Sequence, residues 1–222
     1  MVRMWLPDRP GALGQVASRI GAVRGEIVGI EILERGAGRA IDELVVDLPD
    51  GSLQDLLVQE IQQVDGVDVE EIRPVADSLH DPRLDALETV AILVGATDRD
   101  QLVRSVVVHA RRAVGAEWSA VVSLDDGDIL TSEGPVPSAG WLAAFVVGSQ
   151  SSARVASGES GPDDVVWSPL PAAGMALVVG RSGPAYRARE RKQVAAFSRI
   201  VDTRLREILR SSSLGNHPSI AR

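Results

Sequence analysis

The first 75 residues change hydrophobic period several times, and that succession limits the possible folds more than any motif does. Val2, Met4 and Leu6 alternate with Arg3 and Trp5, the two-residue repeat of a half-buried strand. After Pro7-Asp8-Arg9-Pro10-Gly11 the spacing becomes helical, with Leu13, Val16, Ala17 and Ile20 on one face of a helix that should end near Gly25. EIVGIEILE returns to strand spacing, with Val28, Ile30 and Ile32 on one face and Glu31 on the other. RGAGR (35–39) supplies the glycines of a hairpin loop, and the return strand sets Leu44, Val46 and Leu48 against Ile41, Glu43 and Val45. Pro49-Asp50-Gly51-Ser52 reads as a turn followed by a capping residue, and a second helix over 52–63 carries Leu53, Leu56, Leu57 and Ile61. Asp65-Gly66 leads into a last strand, VDVEEIR. Strand, helix, strand, strand, helix, strand is the split βαβ order. It predicts a four-stranded antiparallel sheet with both helices on one face and the other face left for a partner.

Between the first strand and the first helix, Asp8, Pro10, Gly11 and Leu13 form an acidic-x-Pro-Gly-x-Leu pattern. With that pattern, LPDRPGALGQVASRIGAVRGEIVGIEI resembles the opening of an ACT domain, a small regulatory module, and the likeness extends over residues 1–75. The resemblance implies a ferredoxin-like βαββαβ fold that pairs side by side with a second copy. It also implies a small effector, commonly an amino acid, held by Asp8, Arg9, Pro10, Gly11, Ala12 and Leu13. The chemistry of the loop is consistent with this. Gly11 lets a ligand approach the backbone, and the first amides of a helix favour a carboxylate. The same residues also make a helix start without any ligand: Asp8 as cap, Pro10 in the first turn, Gly11 for packing. Asp8 in that role would compete with an anionic guest for the same amides. Amino-acid-binding ACT domains often carry an Asn near the start of the second strand, whereas GEIVGIEI has none.

PVADSLHDPR (74–83) has two prolines and several turn formers, which places a linker at 76–83. Beyond it, Leu84, Leu87, Ala91 and Val94 recur at helical spacing. A further helix, capped by Thr97 or Asp98, carries Leu102, Val103, Val106, Ala110, Ala113 and Val114, with His109 bordering that stripe as a packed side chain. WSAVVSL and DILTSEG read as a hairpin turning at Asp125-Asp126-Gly127. SAGWLAAFVVGSQ reads as a short helix, and DVVWSPLP and AGMALVVGRSG as two more strands. A long helix over 185–210 has Val194, Phe197, Val201, Leu205 and Ile208 on one side, and 211–222 reads as a disordered tail.

T-D-x-x-x-L before the first of these paired helices, G-A-x-W at its end, and the block YRARERKQVAAFSRIVDTRLREI resemble a GAF domain over about 82–210. That resemblance implies an α+β domain at 84–210, an antiparallel sheet flanked by helices, acting as a sensory or dimerising module. It lacks the Asn-Lys-Phe-Asp-Glu-type motif of cyclic-nucleotide binders and has no cysteine to anchor a bilin. Trp118, Trp141 and Trp167 read as core anchors.

Several function classes are disfavoured. With no cysteine and only three histidines, none at ligand spacing, the chain offers no thiolate or imidazole metal site, and no cofactor is expected. The longest apolar runs are too short to cross a bilayer and no signal peptide is evident, which suggests a cytoplasmic protein without a membrane partner. A net charge of −8 opposes nucleic-acid binding; Arg187, Arg189, Arg191 and Lys192 read as a solvated helix face. The sequence has no G-x-S-x-G elbow, Walker loop or G-x-G-x-x-G. Glu43, Asp47, Glu70 and Glu71 read as outward strand carboxylates. The expectation is a non-enzymatic, homodimeric regulatory protein with an amino-acid effector. Its alternative is a pure interaction module without a ligand. The helix over 185–210 is a candidate second dimer surface.

Overall fold

A computed structural model describes residues 1–75, 82–151 and 161–215. The chain divides into two compact units, Met1–Asp81 with Arg187–Arg189, and Pro82–Tyr186 with Glu190–Arg222. Each contains one antiparallel four-stranded sheet, so the chain is α+β throughout. Residues 76–81 of the expected linker lie outside the described residues, and its end is already helical, because α3 starts at Pro82.

In the first unit the order is β1 (Val2–Pro7), α1 (Ala12–Ala22), β2 (Glu26–Gly36), β3 (Arg39–Asp47), α2 (Gln54–Gln62) and β4 (Asp68–Ile72). The strands lie as β2-β3-β1-β4, every neighbouring pair antiparallel. Alternation along β1 drives Val2, Met4 and Leu6 into a core completed by Ala12, Val16 and Ile20 of α1 and Leu57 and Ile61 of α2. A 3-10 turn, Gly51–Leu53, precedes α2, and Asp50 caps it by accepting a 2.9 Å hydrogen bond from the Ser52 N–H.

The second strand departs from the expected alternation. Its register slips between Ile27 and Gly29 and again between Ile32 and Glu34, so Val28 and Leu33 are bulged. Leu33 is buried, whereas Ile30, opposite the buried Leu44, is 53% exposed on this edge strand, and Val28 is exposed too. Two left-handed residues, Ala37 (φ 51°) and Gly38 (φ 76°), join β2 to β3 in the tight turn that right-twisted strands favour.

The second unit runs α3 (Pro82–Gly95), α4 (Arg99–Ala113), β5 (Trp118–Ser123), β6 (Ile129–Glu133), α5 (Ala139–Gln150), β7 (Val165–Leu170), β8 (Met175–Gly180) and α6 (Ala188–Gly215). Its strands lie as β6-β5-β8-β7. One sheet face packs Val121, Leu177 and Val179 against Val106 of α4 and Val201 and Leu205 of α6. The other packs Trp118, Val122, Trp167 and Val178 against Leu142 and Val146 of α5. Burial on both faces explains why MALVVG is continuously apolar instead of alternating.

Four expectations change here. The α3 stripe Leu84, Leu87, Ala91 and Val94 is exposed, Leu87 at 68%, while Leu93 on another side of the helix enters the core. A helix apolar nearly all round gives no periodicity from which to choose its inner face. On α4, Ala113 is exposed and Val107 takes a core place. The α6 stripe is buried within its own unit, so it offers no second dimer surface. The helix also continues to Gly215, taking in 211–215 of the expected tail; 216–222 lie outside the described residues.

Trp118 and Gly180 face each other across β5 and β8. A Cβ on Gly180 would sit 2.2 Å from the Trp118 ring, so the indole lies directly on the backbone of its neighbour. Gly180→Ala is expected to destabilise this unit by about 2–3 kcal/mol, the cost of overpacking a filled core. Chemical denaturation of the variant against the parent chain reads that loss.

Candidate functional site

The turn after β1 is held by the Asp8 N–H, which donates to the Gly38 carbonyl of the hairpin (2.9 Å), and by the Arg9 N–H, which donates to the Pro7 carbonyl. Gly11 then takes a left-handed conformation (φ 88°) as the residue before α1. Only a glycine adopts that conformation without strain. No side chain of the described residues caps the helix. Of its first amides, Ala12 N–H reaches the Arg9 carbonyl and Gln15 N–H the Gly11 carbonyl, while Leu13 and Gly14 find no backbone acceptor among the described residues. Among the described residues, nothing lies within 4 Å of where a Cβ would stand on Gly11 or Gly14.

This corrects the capped-helix account of the loop. Asp8 does not bond to the first-turn amides; its carboxylate is 4.0 Å from the Arg35 guanidinium. Pro10 precedes the capping position instead of occupying the first turn. The six expected site residues also divide. Asp8, Arg9, Pro10 and Gly11 are exposed at the helix start, whereas Ala12 is buried in the core and Leu13 packs against it.

Asp42 was missed by sequence reasoning. It lies opposite Met4 on β3, so it points to the same side as the core residues Ala40 and Leu44 and is only 3% exposed. Its Oδ1 has no hydrogen-bond partner among the described residues. Burial raises its pKa above the ordinary carboxylate value; Arg35 opposes that shift and Asp8 adds to it. The strand alternation that places Leu44 inside places Asp42 inside as well, and that signal was available in the sequence.

Other singled-out residues serve packing. Glu43, expected to face outward, accepts a 3.1 Å hydrogen bond from the buried Arg3. Arg191 is buried and donates to the Pro162 carbonyl, so it does not belong to a solvated basic face. Trp118 and Trp167 are core residues, but Trp141 is exposed and stacks on Phe145 with ring centroids 5.3 Å apart. Asp98 caps α4 through the Gln101 N–H (2.8 Å). The His109 Nδ1 lies 3.4 Å from the Thr89 hydroxyl, with its pKa lowered by burial and then by Arg112. Among the described residues no group of three His, Asp or Glu could hold a metal ion, and no helix is long and apolar enough to cross a membrane. Searches against protein-family models and curated proteins find no match.

An acid whose native pKa lies above its unfolded one binds its proton more tightly in the fold. The stability from Asp42 is therefore full below the unfolded value of 3.8 and is lost as pH rises through the raised native value. Asp42→Asn, which cannot ionise, is expected to be more stable than the parent at pH 7, with the difference shrinking as pH falls towards 3.8. Denaturation at a series of pH values checks this; a gain independent of pH would contradict it.

Proposed function

We propose that this chain is a non-enzymatic regulatory protein in which a first, ACT-like module of ferredoxin-like βαββαβ form holds a small metabolite, an amino acid. The second, GAF-like module would then sense or dimerise. The observation that carries this reading is the open start of α1: left-handed Gly11, no capping side chain, and Leu13 and Gly14 amides without backbone acceptors. A ligand carboxylate would take those amides, and the positive end of the helix dipole would favour it there. Regulation would follow from unequal affinity of that ligand for two arrangements of a homodimer. Calorimetry of the full chain against the amino acids at millimolar concentration tests the reading. At least one is expected to bind, and Gly11→Val, whose side chain crowds the open approach and strains the backbone, is expected to remove the heat. Silence from all of them would end the effector reading.

Exposed apolar residues support a second reading, an assembly module without a small ligand. Val28 and Ile30 lie on the edge strand β2, and Leu84, Leu87, Ala91 and Val94 lie along α3. Light scattering at micromolar concentration is expected to give the mass of a dimer under either reading, and a monomer would contradict the dimeric part of both. A dimer that responds to no amino acid would favour the second.

A further inference from the structure

Next to the loop, the first unit has an open cleft of about 300 Å³ lined by Arg9 of the loop, by Gln15, Ser18 and Arg19 along α1 and by Gln63, Val64 and Asp65 after α2. Its two guanidiniums differ in how they are held. Arg19 pairs with Glu60 (3.2 Å) and donates to the Gln63 amide oxygen (2.7 Å). Arg9 donates only to the Gln15 amide oxygen (3.3 Å), and no carboxylate of the described residues pairs with it. Its charge is therefore oriented by a neutral group and left uncompensated. The floor is the buried Val64, and the Ser18 hydroxyl, which donates to the Gly14 carbonyl (3.0 Å), keeps its acceptor capacity. Asp65, exposed and in no ion pair with a described residue, adds one negative charge to the lining.

We infer that this cleft is a binding site for a small organic monoanion, held through its carboxylate by Arg9. A guanidinium presents paired N–H donors that match a carboxylate, and a charge-assisted bond to an otherwise uncompensated arginine is the strongest polar contact this lining offers. Asp65 sets the selectivity. A second negative charge on the guest would meet that carboxylate, so a monoanion is preferred over a phosphate dianion. The cleft shares Arg9 with the loop, but it does not depend on the effector reading, because its other contacts come from side chains of α1 and the turn after α2 and none from the free amides of Leu13 and Gly14 that carry that reading.

Two exposed substitutions with opposite expected signs test it. Amide and side-chain NMR signals of Gln15, Ser18, Gln63 and Val64 in the full chain are followed while sodium acetate, and separately inorganic phosphate at pH 8, is added at constant ionic strength. Acetate is expected to shift these signals saturably. Arg9→Gln is expected to weaken that binding about tenfold or more, the size of a lost charge-assisted hydrogen bond. Asp65→Asn is expected to tighten acetate binding about twofold or more and to raise phosphate binding by a larger factor. Absence of a saturable shift, or an Arg9→Gln chain that binds acetate as the parent does, overturns the site. Phosphate binding as tightly as acetate in the parent chain overturns its assignment to a monoanion. An amino acid that shifts Leu13 and Gly14 but leaves Ser18, Gln63 and Val64 in place would uphold the loop reading while giving the cleft no support, so the two fail separately.

Discussion

The entry into α1 is the constraint on which the first unit turns. Gly11 sits at φ 88°, and with the chain bent that way the Asp8 carboxylate lies beside Arg35 and not over the first-turn amides. A helix that begins with a bound carboxylate cap presents a neutralised end. This one presents free N–H groups and an unopposed dipole, in open space. The cost is local, because the residues on either side are firmly fixed: the Asp8 N–H is tied to the β2–β3 hairpin, and Ala12, Val16 and Ile20 anchor the helix in the core. Under the proposed reading, a ligand carboxylate would meet amides already held in place by that frame.

In the second unit a buried charge is met by partners, although the Trp167 indole N–H and the Tyr186 and Ser198 hydroxyls find none among the described residues. Arg181 follows β8 and is buried, yet it donates to the Val114, Pro184 and Ala185 carbonyls and makes a two-pronged pair with Glu190 (2.8 and 3.1 Å). Its guanidinium also lies 4.0 Å from the Tyr186 ring centroid, whose hydroxyl is pushed towards a higher pKa by burial. A buried charge costs several kcal/mol unless it is met on all sides, and here it is used to join the end of α4, the strand β8 and the start of α6. With both faces of the sheet covered by packed side chains, the interior of this unit is a filled core.

Element order was legible in the sequence because the hydrophobic period changes cleanly between 2 and about 3.6. Among the described residues, the strands of both sheets and the six α-helices lie in the stretches expected of them. Faces were legible only where polar and apolar residues alternate. On α6, Val194, Phe197, Val201, Leu205 and Ile208 are all inside. On α3, leucine and isoleucine surround the axis, and the apparent stripe is the outer one. Trp141 misled for a related reason: α5 has no charged residue to mark its solvent side. The bulges at Val28 and Leu33 leave no trace in composition, so the mixed exposure of β2 could not be read ahead of its register. At the loop, residue types identified a helix start with glycine at the bend. Whether Asp8 capped that helix depended on the backbone angle at Gly11 and on Arg35, which arrives from a strand more than twenty residues later.

The most direct measurement follows the amide signals of Leu13 and Gly14 in the ¹⁵N-labelled chain as amino acids are titrated in. A carboxylate accepting their hydrogens would move both proton resonances downfield, saturably and together, and slow their exchange with solvent. That paired shift is expected for at least one amino acid. If every amino acid leaves both signals in place while they exchange as freely as in the ligand-free protein, the open start of α1 is not an effector site.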